Sequence, residues 1–93
     1  MRLNEAERQA VVQAVRAADP DADIYLFGSR VDDAAKGGDI DLLVLSDNID
    51  LMTKLDILGR LHALLGDQRI DLAVFPDQEE PFARLAAREG CRL

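Results

Sequence analysis

Residues 26–45 read Leu26-Phe27-Gly28-Ser29-Arg30-Val31-Asp32-Asp33-Ala34-Ala35-Lys36-Gly37-Gly38-Asp39-Ile40-Asp41-Leu42-Leu43-Val44-Leu45. An apolar run stops at Gly28-Ser29, a spacer of nine residues follows, and Asp39-Ile40-Asp41 opens a second apolar run. In a strand, residues two apart project to the same side. Asp39 and Asp41 therefore point together and Ile40 points the other way. Two carboxylates about 5 Å apart repel by roughly 3 kcal/mol at an effective dielectric near 20. A cation relieves that repulsion, and hard oxygen ligands on one face suit Mg²⁺ carrying a nucleotide phosphate.

Working outward, the apolar pattern divides the chain into helices and strands. Asn4 with Glu7 three residues later fits a helix N-terminus, and Val11, Ala14, Val15 and Ala18 form one stripe behind it. Asp19-Pro20-Asp21 ends that helix, because proline cannot continue a helix interior. Ile24 to Phe27 reads as a short strand and residues 29–38 as a loop. Asp39 to Leu45 reads as a second strand, apolar on both faces in its later half and so central in a sheet. Asp50 caps a second helix with Leu51, Leu55, Leu58, Leu61 and Leu65 at helical spacing, a stripe expected to be core, and Gly66 stops it. Ile70 to Phe75 is a third strand and Pro81 to Glu89 a last helix closed by Gly90. The expected fold is α/β: a small mixed sheet with helices packed on one side.

Asp71 lies early in the otherwise apolar Ile70–Phe75 strand. A charge there needs either an exposed edge position or a functional partner. Pairing of this strand beside the Asp39–Asp41 strand would bring a third carboxylate to the first two. Asp67 and Asp77 are the alternatives for that third position, and both fall in expected turns.

The composition sets outer bounds. Ninety-three residues form one domain with no linker or repeat, and 48% are hydrophobic but only 4% aromatic, so aliphatic side chains build the interior. A net charge of −7 argues against unaided binding of nucleic acid. It fits a basic partner, or a nucleotide masked by metal. The single cysteine, Cys91, excludes an internal disulfide and fits a reducing compartment. With no signal peptide or membrane span in view, the expected location is the cytoplasm. His62, the only histidine, reads as an ordinary helix residue.

The Gly28-Ser29 turn, the spacer and Asp39-Ile40-Asp41 resemble the signature of the nucleotidyltransferase superfamily that includes DNA polymerase beta. The likeness is greatest to its smallest members, the minimal nucleotidyltransferases, although the spacer is one residue shorter than is common there. The resemblance implies a Mg²⁺-dependent transfer of AMP from ATP to a hydroxyl. Asp39 and Asp41 would hold two Mg²⁺ ions, and Asp71 one of them while taking the proton of the attacking hydroxyl. Backbone N–H groups at Gly28 and Ser29 offer donors to phosphate, and a glycine lets the backbone approach closely. Arg30 presents a fork suited to phosphate oxygens, and Lys36 is a weaker candidate for that contact.

Chains of this kind resemble the antitoxins of toxin–antitoxin pairs whose partners are HEPN ribonuclease toxins, neutralised by AMPylation of a tyrosine. Two other readings stand beside this one. In the first, a non-catalytic antitoxin masks its partner by contact. In the second, nucleotidyl transfer goes to a small molecule. Transfer of label from ATP separates all three.

Overall fold

The Asn4 side chain accepts the Glu7 backbone N–H at 2.7 Å, and the Glu7 carboxylate accepts the Asn4 N–H at 3.1 Å. This capping box satisfies donors that an uncapped helix leaves open, and it starts α1, Glu5–Ala18. The computed structural model describes residues 3–27, 40–66, 69–77 and 79–93. After α1 come β1 (Asp23–Phe27), β2 (Ile40–Leu45), α2 (Leu51–Leu65), β3 (Ile70–Phe75), α3 (Pro81–Glu89) and β4 (Cys91–Arg92). Asp50 caps α2 by accepting the Thr53 N–H at 2.8 Å. Gly66 closes α2 with φ at 81°, where a side chain would be strained.

The strands form one mixed sheet in the order β3-β2-β1-β4. β2 runs antiparallel to β1 and parallel to β3, and β4 pairs antiparallel with β1. β2 is thus the inner strand that its apolar run implied. The two-residue β4 carries no periodic signal of its own; pairing with Tyr25 and Leu26 makes it a strand.

The α/β class and mixed sheet are as expected, but the helices, expected on one side, lie on both. On one face, Ile24, Leu26, Ile40, Leu42, Val44, Ile70 and Leu72 pack with Val11, Ala14 and Val15 of α1 and with Ile57 and Leu61 of α2. On the other face, Leu43 packs with Ala83 and Ala86 of α3, bordered by Tyr25, Phe27, Leu45, Ala73 and Phe75. So α1 and α2 share a side, and α3 covers the opposite one. The cause is visible in β2, whose residues are apolar in both directions and need cover above and below. Two alanines three apart let α3 approach closely.

The leucine stripe of α2 is buried only in part. Ile57 and Leu61 are inside, Leu58 and Leu65 are partly covered, and Leu51 and Leu55 are 67% and 51% exposed. The inward line continues toward the N-terminus through the half-covered Thr53 and Lys54 rather than through the leucines.

Asp19 ties the end of α1 to the end of β2. Its carboxylate is buried and accepts the Ser46 hydroxyl at 2.5 Å and the Asp21 N–H at 3.0 Å. The Ser46 hydroxyl in turn accepts the Asn48 N–H at 3.0 Å. The Ser46 hydroxyl, then the Asp21 amide, hold the Asp19 carboxyl below the ordinary aspartate range. A carboxyl lowered in the folded state adds stability above its unfolded value of about 4, and that stability is lost as pH falls through the folded value. Asp50 and Glu5 are lowered too, by the Thr53 amide and by Arg8 respectively. Thermal midpoints of wild type and Asp19→Asn, followed from pH 7 to pH 2.5, are expected to converge on acidification. Curves that stay parallel would mean Asp19 contributes nothing to the acid limb.

Candidate active site

The register of the sheet sets the site. Phe27 of β1 lies opposite Asp41 of β2, and Asp41 lies opposite Asp71 of β3. Residues directly opposite on neighbouring strands share a face. Phe27, Asp41 and Asp71 therefore form one lateral row on the α3 side, with adjacent Cα atoms one strand spacing, about 5 Å, apart. The row crosses the sheet where β1 ends and where β2 and β3 begin. Ile40 and Ile70, one position earlier, are buried on the opposite face.

Both carboxylates can reach solvent. Asp41 is half-buried and the Asp71 side chain is 52% exposed. Like charges placed opposite each other in a sheet are destabilising, so the pair is not explained by packing. Arg69 offsets part of the repulsion, with its Nε 3.7 Å from Asp71 Oδ1. Such an exposed ion pair is worth at most about 1 kcal/mol. Arg69 was not singled out from the sequence, although its signal was there: Arg69 and Asp71 are two apart and so face the same way.

Asp41 and Asp71 are thus brought side by side. Gly28, Ser29, Arg30, Lys36 and Asp39 lie outside the described residues, as does Asp67. Asp77 follows the far end of β3 and accepts the Glu79 N–H at 2.9 Å within its own turn. Of Asp71 and Asp77, only Asp71 neighbours Asp41. Among the described residues no three His, Cys, Asp or Glu side chains gather to hold a metal ion. His62 is exposed on α2, and Cys91 is half-covered in β4.

Two adjacent carboxylates at one end of the sheet are the hard, anionic oxygen set that a small divalent cation takes. Residues 13–93 match the family described as polymerase beta, nucleotidyltransferase. The chain belongs to that family. A comparison with curated proteins gives no significant match. As a nucleotidyltransferase, the protein is a transferase of nucleotidyl groups, and its domain type uses a nucleotide substrate with divalent metal. Asp41 and Asp71 fit the metal, and no helix among the described residues is long and apolar enough to cross a membrane.

Proposed function

We propose that this nucleotidyltransferase moves AMP from ATP to a tyrosine hydroxyl of a HEPN-type ribonuclease toxin and so acts as its antitoxin. The observation that carries the catalytic half of this reading is the lateral pairing of Asp41 with the solvent-exposed Asp71. Asp39, Asp41 and Asp71 would hold two Mg²⁺ ions, which when bound supply positive charge to the α-phosphate and to the departing pyrophosphate.

The chain's own groups do the rest. The exposed Asp71 carboxylate accepts the proton of the attacking hydroxyl. A bond forms from that oxygen to the α-phosphorus, and the α–β phosphoanhydride bond breaks to release pyrophosphate. Gly28, Ser29 and Arg30 serve the β- and γ-phosphates. A net charge of −7 favours a basic protein partner, as an RNA-cleaving enzyme would be.

The experiment is label transfer with Mg²⁺ and the co-expressed partner. ATP labelled at the α-phosphate is expected to mark the partner at tyrosine, and ATP labelled at the γ-phosphate is expected to leave it unmarked. EDTA stops the reaction and excess Mg²⁺ restores it. If the partner is neutralised without label, masking by contact replaces transfer. If label goes to an aminoglycoside instead, the acceptor is a small molecule.

A further inference from the structure

The chain has only four aromatic side chains, three Phe and one Tyr. All four stand on the same face of the sheet as Asp41 and Asp71. Tyr25, Phe27 and Phe75 border the α3 cluster, and Phe82 of α3 meets Phe27 and Phe75. The opposite face is built from Ile, Leu, Val and Ala alone.

Docking of α3 does not account for Phe82. The helix buries Ala83 and Ala86, while Phe82 remains 47% exposed. Its ring is nevertheless fixed. The Phe27 ring stands at 5.5 Å and 77° to it, and the Phe75 ring at 5.9 Å and 51°. Two ring neighbours at these distances hold the Phe82 ring in place while about half of the residue stays accessible. A lone exposed Phe is ordinary on a protein surface, but this one is braced by the residue that lies opposite Asp41. Asp71, Asp41, Phe27 and Phe82 thus follow one another across one face, from carboxylates to a half-exposed aromatic ring. The flat base of a nucleotide whose α-phosphate is held at those carboxylates calls for an exposed apolar ring within a few residues' reach of them.

We propose that Phe82 is the stacking surface for the base of the nucleotide, an inference that rests on the nucleotide site assigned above. The phosphate end and the base end are then read by different parts of the chain, the sheet end and α3.

Calorimetric titration with Mg²⁺ present tests this, using ATP and inorganic tripolyphosphate as ligands. Wild type is expected to bind ATP about tenfold more tightly than tripolyphosphate, the range that one aromatic–base stack provides. Phe82→Leu is expected to lose that tenfold for ATP and to bind tripolyphosphate unchanged, while Phe82→Trp keeps it. Equal binding of ATP by wild type and Phe82→Leu overturns the stacking role and leaves the phosphate site standing. An equal loss for both ligands in Phe82→Leu overturns it too, because the variant then acts on the phosphate end. If neither ligand binds wild type, the nucleotide site itself is refuted along with the stack. Phe82 is half-exposed, and an unchanged circular dichroism spectrum of Phe82→Leu certifies the fold.

Discussion

Asp41→Asn is expected to lower nucleotidyl transfer by more than about 100-fold without destabilising the protein. Loss of an outer-shell partner of a metal ligand already costs 10–100-fold in affinity or activity, so loss of a direct ligand, the role proposed for Asp41, would exceed that. An amide keeps the shape of the carboxylate but removes the negative charge that binds a hard cation. Stability moves the other way. Asp41 and Asp71 face each other across the β2–β3 ladder, and like charges about 5 Å apart repel by at most about 3 kcal/mol at an effective dielectric near 20. Solvent and Arg69 reduce that figure, so the thermal midpoint is expected to hold or rise slightly. Activity lost together with stability would mean that Asp41 is structural. Activity retained would remove it from the site. Asp71→Asn provides the companion measurement and is expected to slow transfer and flatten its dependence on Mg²⁺ concentration.

The second large effect is one of stability. Gly90→Ala is expected to cost about 1–3 kcal/mol, the range for forcing atoms into a packed site. A Cβ built at Gly90 would stand 2.6 Å from the carbonyl oxygens of both Ala86 and Leu26. Neither oxygen can swing aside, since both are backbone. The Ala86 oxygen accepts the Gly90 N–H at 2.8 Å, and Leu26 is paired with Cys91 in the sheet. The conformation of Gly90, φ −85° and ψ 177°, is open to any residue. The requirement for glycine here is spatial. Relief demands that α3 lift from β1, which draws Phe82 away from Phe27. A fall of about 10 °C in thermal midpoint corresponds to roughly 2 kcal/mol in a domain of this size. An alanine variant as stable as wild type would show that the chain accommodates the extra carbon by another route.

Local chemistry made much of this fold readable. Asn4 with Glu7, the Asp19-Pro20-Asp21 stop, Asp50 and Gly66 bound their helices where the structure has them, because caps and breakers act on neighbouring backbone groups. The strand Ile70–Phe75 was equally plain from its apolar content. What was less legible had partners distant in sequence. The burial line of α2 through Ile57 and Leu61, rather than Leu51 and Leu55, depends on which side meets the sheet. The strand at Cys91–Arg92 exists only as the partner of β1. From the sequence the helices are expected on one side; the two-sided apolar character of β2 needs cover on both, and packing shows that α3 supplies the second.

The same division holds for the site. By its own pattern, the sequence offered a set of candidate acidic residues and the expectation that Asp39 and Asp41 project together, since a period of two is a local property of a strand. It could not determine that Asp71 stands directly beside Asp41, or that Phe27 flanks the pair on the other side and braces Phe82. A shift of one residue in strand pairing would turn Asp71 to the opposite face. That register is fixed by hydrogen bonds and side-chain packing between strands separated by a whole helix, and only the tertiary structure contains them.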